Sequence, residues 1–367
     1  MDPYTGDLFA TDSNIEIVEL KKLDIVRQTD KLRLFSRLIN KHEPMYPNIE
    51  TWFRKKVLHG IKDGQRKAYL CLRNEEPVAT AVVKLGAQSK FCHLHMTPDV
   101  REQHLGDLFF SMMALDVRGR ANEVHFTVPE SLWVEKKGFF QSFGFNEVVK
   151  ATNQYRNFEE ELRCSASFST VWQKTLEKLP IIIDTLANSQ DNIFNGLVMS
   201  IKPKWVESIQ EGKKIVEIRK KFSEKWQGCR VTIYSSSPVK GLQGHATIAD
   251  VIKDCPDSIW EKFGSDLGCS KKDFYEYSAS SPQIFAITLK DYQAYTSTLF
   301  LDQMSHLLDK DLKPPQSHLA LENNELWSGA VSIAELLHGR FRLHTSTFLS
   351  PKEREARSAE MNFGSGM

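Results

Sequence analysis

Three charged side chains stand among aliphatic residues in one short segment, residues 214–219. Lys214, Glu217 and Arg219 are interspersed there with isoleucine and valine, a pattern that predicts a β-strand. A lysine beside a carboxylate can exchange protons, hold an anionic ligand or form a structural ion pair. Each of these charges would cost several kcal/mol if it were buried without a partner. The segment therefore predicts either a polar pocket in which the three side chains meet or a strand with one wet face.

The spacing within this strand limits which side chains can converge. Glu217 and Arg219 are two residues apart and must share a face, whereas Lys214 would lie on the opposite face of a regular strand. An irregular start beside Gly212, which ends the preceding helix, would bring Lys214 back. Lys202, at the end of the strand before that helix, would then approach Glu217. We expect a pocket with more cations than carboxylates, which favours an anionic ligand such as a nucleotide or RNA.

Residues 194–322 resemble an ASCH domain, a small PUA-like β-barrel that is associated with RNA and nucleosides. The resemblance rests on four motifs in order, at residues 196–219, 231–238, 241–251 and 314–317, the last reading Pro-Pro-Gln-Ser. It implies one ligand pocket that is lined by Ser200, Lys202, Lys214, Glu217, Arg219, Tyr234 and Ser235.

The chemistry of this second domain has more than one interpretation. Some ASCH proteins resemble nucleoside amidohydrolases, which use a lysine, a threonine and a glutamate. Lys214 matches the lysine, but Glu217 stands in the threonine position. The Lys214–Glu217 pair is then a candidate acid and base, or a structural or binding pair. The aromatic residues Trp205, Trp226 and Tyr234 are either stacking faces for bases or core residues.

Three histidines in the first half of the chain are candidate proton acceptors. His93 and His95 lie two residues apart on a predicted strand and share one face, and His125 lies on the next predicted strand. Glu130, just past that strand, and Tyr155 are further candidates. The alternative is that the histidines are packed or surface side chains. Although His-x-His is a metal-ligand spacing, no third ligand is evident, and we predict no metal.

A strand at 91–96, a tight loop and a helix over 107–119 form a predicted anion site. The N–H groups at a helix start have no intrahelical partner, and the helix dipole favours negative charge there. The loop resembles the acetyl-CoA loop of GNAT acetyltransferases, R/Q-x-x-G-x-G/A, with a histidine in place of the first glycine. The resemblance spans residues 15–158 and implies acetyl-CoA contacts from Met96, Arg101, Gln103, His104, Leu105, Gly106 and Asp107.

The segment 136–145 resembles the F-Y-x-x-x-G-F helix end of the same family. Phe140 stands where that family often has the tyrosine that protonates the leaving thiolate, and Trp133 replaces a common asparagine. Any catalysis must therefore use another proton donor.

Length and composition are those of a globular protein with two or three domains: 367 residues, 41% hydrophobic and 26% charged. The net charge of +1 excludes a general polycation, although residues 202–230 are locally basic. Six scattered cysteines without a CxxC pair argue against a zinc ribbon or a disulfide framework. No signal peptide or membrane-length apolar run is present, and we expect a cytoplasmic location without membrane contact.

The expected fold is mixed α+β, a GNAT-like α/β/α sandwich followed by a PUA-like (ASCH) β-barrel. The predicted segments are a flexible arm at 1–14, the GNAT-like domain at 15–158, a helical connector at 159–193, the ASCH domain with a helical extension at 194–345 and a disordered tail at 346–367.

The function that follows is an acetyl-CoA-dependent N-acetyltransferase whose ASCH domain binds an RNA or nucleotide-linked substrate. Two alternatives remain open. One is a non-catalytic RNA-binding or regulatory protein, and the other is an ASCH-centred hydrolase that acts on a modified nucleoside or RNA.

Overall fold

The computed structural model describes residues 13–41, 46–100, 104–152, 159–186, 193–322, 324–338 and 342–343. These residues form two compact units, each with its own sheet. Unit 1 comprises the described residues up to 186 together with 342–343, and unit 2 comprises those from 193 to 338.

The elements of unit 1 up to residue 186 are β1 (Ser13–Glu19), α1 (Lys22–Arg27), α2 (Asp30–Asn40), α3 (Ile49–Trp52) continuing through a π-helical turn (Phe53–Val57) into α4 (Leu58–Lys62), β2 (Arg66–Arg73), β3 (Glu76–Lys84), β4 (Gln88–Met96), α5 (Leu105–Val117), β5 (Glu123–Pro129), α6 (Glu130–Ser142), β6 (Glu147–Lys150), β7 (Glu161–Ser167) and α7 (Phe168–Leu186).

The elements of unit 2 are β8 (Leu197–Ile201), α8 (Pro203–Gln210), β9 (Val216–Arg219), β10 (Arg230–Ser235), β11 (Gly241–Asp254), α9 (Pro256–Phe263), α10 (Lys271–Ser278), β12 (Ile284–Phe300), α11 (Leu301–Leu308), β13 (His318–Ala320) and α12 (Glu325–His338). A last strand, β14 (Arg342–Leu343), belongs to unit 1.

The sheet of unit 1 has the strand order β14-β1-β2-β3-β4-β5-β7-β6. Among the described strands of this sheet, only β4 and β5 pair in parallel, at three positions, 88–90 with 123–125. On the other side of β4, Val83 of β3 lies opposite Phe91 and Val82 lies opposite His93, so Cys92 is an extra residue. A bulge of this kind bends its strand. The bulge follows directly after Lys90, the last residue of β4 that pairs with β5, and we call the gap between the unpaired carboxyl ends of these two strands the cleft.

Helices cover both faces of this sheet. On one face, α2, α3 and α4 bury a core that includes Phe35, Phe53, Leu70 and Val82. The opposite face carries a cluster of phenylalanines from β4, β5, α5, α6 and the loop after α6, in which neighbouring ring centroids lie 4.6–6.2 Å apart: Phe91, Phe110, Phe126, Phe139, Phe140, Phe143 and Phe145. The cleft between β4 and β5 is therefore framed by two packed layers.

The boundaries of unit 1 differ from the sequence prediction. The predicted connector at 159–193 begins with β7, which pairs with both β5 and β6, and continues with α7, whose Leu179, Ile182 and Ile183 are buried. The sheet needs β7 because β5 has no other partner on that side. At the other end, Ser13 and Asn14 of the predicted arm pair with β14, which the prediction had assigned to the ASCH domain. The predicted tail lies outside the described residues.

The sheet of unit 2 has the order β13-β8-β10-β11-β12-β9 and curls into a half-barrel. Among the described strands of this sheet, only β8 and β10 are parallel. The inside of the curl is apolar, with Leu197, Met199, Val231, Ile233 and Ile287 buried together. In the described part of the chain the predicted β-barrel is a half-barrel, because β9 and β13 are the ends of the sheet order and do not pair with each other.

Candidate functional site

Lys214, Glu217 and Arg219 meet in unit 2 and form what we call the ionic triad. Lys214 Nζ lies 3.2 Å from Glu217 Oε2, and Arg219 Nη2 lies 3.2 Å from Glu217 Oε1. The side chains of Lys214, Glu217 and Arg219 are 3%, 8% and 15% exposed, respectively. The carboxylate therefore compensates two cations that are almost completely removed from water.

Lys214 reaches Glu217 because it precedes the strand proper, which begins at Val216. Its backbone N–H donates to Ser208 O of α8 rather than to a strand, and the irregular start places its side chain on the face of Glu217. Lys214 Nζ also donates to Val216 O at 2.7 Å and to Leu267 O at 2.9 Å. With three acceptors the ammonium is saturated, so Lys214 holds Glu217 in place and has no donor left for a ligand.

Arg219 lies on β9, at one end of the sheet order, and its side chain connects β9 to β8. Its Nη2 donates to Ser200 O at 2.7 Å, and the backbone N–H of Ser200 donates to Ser317 O at 2.8 Å. This side-chain bridge links β9 to β8 where the backbones do not pair. Arg219 Nε is buried and has no hydrogen-bond partner among the described residues. Ser200 thus contributes its backbone groups to the site.

Lys202 caps the start of α8 and is exposed, two residues beyond Ser200. The expected contact between Lys202 and Glu217 is not formed, because Lys214 and Arg219 already occupy both carboxylate oxygens. Lys202 adds an exposed positive charge next to β8, where an anion could reach it from solvent.

The structure encloses Tyr234 and Ser235, which are 1% and 0% exposed. The ring of Tyr234 packs edge-on against Trp327 of α12, with centroids 5.7 Å apart, and burial raises the pKa of its phenol. Neither Tyr234 Oη nor Ser235 Oγ has a hydrogen-bond partner among the described residues, and the place of these two side chains in the ligand pocket stays a prediction. Trp327 of α12 thus contacts β10, and nothing in the local sequence of β10 indicates that contact.

The predicted stacking residues also differ in their surroundings. Trp226 is 7% exposed and belongs to the core inside the half-barrel. Trp205 is partly buried, and its ring lies against two ammonium groups, Lys204 Nζ at 4.1 Å and Lys214 Nζ at 5.5 Å from the centroid. Trp205 therefore supports the triad through cation–π contact.

Two groups of functional interest were missed from the sequence. His318, at the start of β13, follows the Pro-Pro-Gln-Ser motif and lies close enough to Arg219 for that charge to act on it. The Pro-Pro-Gln-Ser motif was the sequence signal that could have pointed to His318. The second group is a buried network in which Arg230 Nη2 and Tyr295 OH both donate to Glu335 Oε1 at 2.6 Å. Its members are far apart in sequence, and no local pattern joins them.

In unit 1 the three predicted histidines lie on the same face of the sheet. His93 and His95 are opposite Val82 and Thr80 of β3, on the side of α2 and α3. His93 Nε2 is 3.0 Å from the Thr80 hydroxyl. Val124, Phe126 and Val128 are buried, and Phe126 packs within the phenylalanine cluster on the other face, so His125 points to the face of His93 and His95.

His125 lies at the last paired position of β5, where the cleft begins. Its Nδ1 is buried without a hydrogen-bond partner among the described residues. Burial, followed by the charges of Arg163 and Lys90, lowers the pKa of His125 to about 4. The imidazole is thus neutral at pH 7 and a weak base. Glu130 is exposed at the start of α6, directly after the carboxyl end of β5.

The start of α5 lies beyond the end of β4. His104 precedes the helix with φ 54°, and the first intrahelical bond runs from Leu108 N to His104 O. The N–H groups of residues 105–107 therefore have no intrahelical acceptor. Burial would raise the pKa of Asp107, but hydrogen bonds from His104 and Lys178 outweigh it and lower that pKa. Since Lys178 Nζ pairs with Asp107 Oδ1 at 3.0 Å, its charge offsets a carboxylate that would repel an anion here.

Gly106 faces the protein interior, where an added Cβ would meet Met96 Cε at 3.2 Å and the ring of Phe139 at 3.5 Å. It allows α5 to approach β4 closely, and Met96 fills the space between them. Phe140 stacks against Trp133 and packs on Phe126, so no hydroxyl is present at that position. Arg101, Gln103 and Tyr155 lie outside the described residues.

Among the described residues, no group of three or more His, Cys, Asp or Glu side chains could hold a metal ion. Within the same ranges, no helix has both the length and the apolar character that a membrane span requires.

Comparisons with known proteins return one family model and two kinds of relative. The family described as "Domain of unknown function (DUF365)" matches residues 194–308. An ASCH domain-containing ribonuclease from Zymomonas mobilis is 27% identical over 128 residues, which are 35% of this chain and 85% of that protein. A crystal structure of ASCH from Zymomonas mobilis is 26% identical with a TM-score of 0.34, covering 36% of this chain and 92% of that chain. A putative GNAT-family acetyltransferase from Desulfovibrio desulfuricans is 14% identical with a TM-score of 0.33, covering 42% of this chain and 99% of that chain.

Proposed function

We propose that this chain is an acetyl-CoA-dependent N-acetyltransferase whose second unit binds an RNA or nucleotide-linked substrate. In this proposal unit 1 is a GNAT-like sandwich and unit 2 is a PUA-like ASCH domain. The observation that carries the proposal is the separation of β4 and β5 after only three paired positions, with the start of α5 just beyond the end of β4. A cleft between parallel strands next to free helix N–H groups suits a long ligand with a pyrophosphate.

The residues of unit 1 fit that ligand. The N–H groups of residues 105–107 would hold the pyrophosphate, and Lys178 neutralises the nearby Asp107. Acetyl-CoA supplies a thioester carbonyl that an amine can attack. The proton of that amine needs an acceptor, and His93, His95 and His125 present imidazoles on one face of the sheet at the cleft. Glu130, at the carboxyl end of β5, is the remaining candidate in the described ranges.

Calorimetry with acetyl-CoA tests the first half of the proposal. We expect the wild-type chain to bind, and we expect Lys178→Glu to weaken binding by about tenfold or more, since it puts a second carboxylate beside Asp107 and one charge reversal near a phosphate changes the free energy by about 1–3 kcal/mol. Lys31→Glu, an exposed residue on α2, is the matched charge reversal and should leave binding unchanged. The acetyltransferase proposal fails if the wild type shows no heat of binding at millimolar acetyl-CoA.

Unit 2 supports the second half of the proposal through its charges. The side chain of Arg219 is 15% exposed, and Lys202 is exposed on the adjacent element. An RNA phosphate could pair with both. The relative from Zymomonas mobilis is a ribonuclease, so its ligand is RNA.

Filter binding of a single-stranded RNA at several salt concentrations tests this half. Because Lys202 is exposed, Lys202→Ala should leave the fold intact, weaken binding and reduce the slope of log Kd against log salt by about 0.7. Lys310→Ala removes an exposed lysine after α11 and is the control. RNA binding that is insensitive to salt and to Lys202→Ala would contradict the assignment of this surface.

A second candidate function is RNA cleavage by unit 2. The similarity to a ribonuclease favours it, and so does the position of a histidine beside Arg219. RNA binding without acetyl transfer or cleavage would instead leave the non-catalytic alternative.

A further inference from the structure

His318 is the first residue of β13, which pairs with β8. It directly follows Ser317, whose carbonyl accepts from Ser200 N at 2.8 Å, while Ser200 O accepts from Arg219 Nη2 at 2.7 Å. This short chain of bonds ties β13 to Arg219. It brings the backbone before His318 within two hydrogen bonds of the guanidinium that would hold a phosphate, and the charge of Arg219 acts on the His318 imidazole.

The surroundings of His318 leave one ring nitrogen open. Its Nδ1 is 3.5 Å from the Ser317 hydroxyl, and the ring of Phe222 packs edge-on with centroids 4.9 Å apart. No other hydrogen bond to the imidazole is formed by the described residues, and the side chain is partly exposed. Burial, then the charges of Arg219 on β9 and Lys225 in the turn 224–226, lower the pKa of His318 below the ordinary 6.5. The ring is therefore neutral at pH 7 and can accept a proton.

The other groups of the triad are poorly placed to accept one. Glu217 has one carboxylate oxygen on Lys214 and the other on Arg219. Lys214 is a saturated ammonium, with three acceptors around Nζ. Since the triad is committed to its own ion pairs, a proton acceptor at this site has to come from its rim.

We propose that His318 is the general base of RNA cleavage by unit 2 and takes the 2′-hydroxyl proton of a strand whose phosphate lies on Arg219. This inference rests on the second candidate function above. As the proton passes to His318 Nε2, the O2′–P bond forms and the P–O5′ bond breaks. The O5′ atom takes a proton from water, and the resulting hydroxide takes the proton back from His318. The products are a 2′,3′-cyclic phosphate and a 5′-hydroxyl end.

The roles of the neighbouring cations follow from charge. Negative charge grows on the non-bridging phosphate oxygens in the transition state, and a fixed guanidinium beside them stabilises it. Arg219 is held rigid by Glu217 and by the Ser200 carbonyl, so little reorganisation is needed. The 2′-hydroxyl requirement also makes the reaction selective for RNA over DNA.

The test uses the full chain and a labelled single-stranded RNA. We expect His318→Gln to lower the cleavage rate by about 100-fold or more, the usual contribution of a general base, with RNA binding unchanged. His306→Gln, an exposed histidine on α11, is the control and should retain the wild-type rate. The wild-type rate should rise with pH and reach its plateau before pH 6.5, because burial and the two cations lower the pKa of His318. Mass spectrometry should find a cyclic phosphate, and a substrate with a 2′-deoxy scissile residue should stay intact.

The following results would contradict the role of His318 as the base. An unchanged rate in His318→Gln overturns it, as does a product with a 5′-phosphate. If His318→Gln folds poorly by thermal melting, His318→Ala should regain activity with added imidazole, and failure of that rescue in a folded, RNA-binding variant counts against the base. RNA binding without cleavage by the wild type overturns the role of His318 but leaves the proposed RNA-binding function standing. Absence of RNA binding removes both.

Discussion

Replacing Glu217 with alanine should destabilise unit 2 by about 3–5 kcal/mol, the usual cost of removing one partner from a buried ion pair. The reason is that Lys214 and Arg219, which are 3% and 15% exposed, would lose the only carboxylate that the described structure gives them. Glu217→Gln should cost less, because the amide oxygen can still accept from one of the two cations. Urea unfolding measures the loss, and hydrogen exchange of unit 2 amides assigns it to this unit.

The chain offers a matched control six residues away. Glu211 pairs with Lys213 at 2.8 Å, but their side chains are 56% and 72% exposed. Glu211→Ala should therefore change stability by less than about 1 kcal/mol. Equal losses of stability in Glu211→Ala and Glu217→Ala would mean that burial does not increase the contribution of the triad's ion pairs to stability. A double replacement, Lys214→Met with Glu217→Leu, should recover part of the loss, since it leaves only one unpaired cation.

Acid should destabilise unit 2 through His245, and the change should occur as the pH falls from about 6.5 towards 4. Burial, followed by the nearby charge of Arg230, lowers the pKa of His245 from 6.5 to about 4. Because the unfolded chain binds the proton more readily than the folded one, stability is complete above pH 6.5 and declines below it. The full effect is about 3 kcal/mol. Denaturant unfolding at pH 7 and pH 4.5 measures it.

His245→Gln should remove this part of the pH dependence, and His306→Gln should retain it. The pH-dependent stability must be measured on the amides of unit 2, because the pKa of His125 in unit 1 is also lowered. After burial, Arg230 is the group that keeps His245 neutral: Arg230 Nη2 lies 2.8 Å from His245 Nδ1 and 2.6 Å from Glu335 Oε1. A stability profile that is flat between pH 7 and 4.5 would show that His245 is accessible to solvent.

Sequence periodicity was sufficient for most elements of unit 1. The strands expected at 67–73 and 91–96 and the helix expected at 107–119 correspond to β2, β4 and α5. The apolar residues of these segments repeat at the period of one secondary structure. The strand at 161–167 was missed because β7, Glu-Leu-Arg-Cys-Ser-Ala-Ser, has no β-branched or aromatic residue and is followed directly by the strongly apolar stripe of α7. Its place in the sheet depends on its pairing with β5, which lies more than thirty residues earlier in the chain.

The sequence by itself determined that Glu217 and Arg219 share a face, because side chains two residues apart on a strand must do so. It also indicated that an irregular start after Gly212 was needed to bring in Lys214. Only the tertiary structure decided what these charges do. Leu267 and Val216 saturate Lys214, α12 contacts Tyr234, and β13 brings His318 within range of the charge of Arg219. Those outcomes depend on which distant segment packs against the site, and local spacing contains no information about that packing.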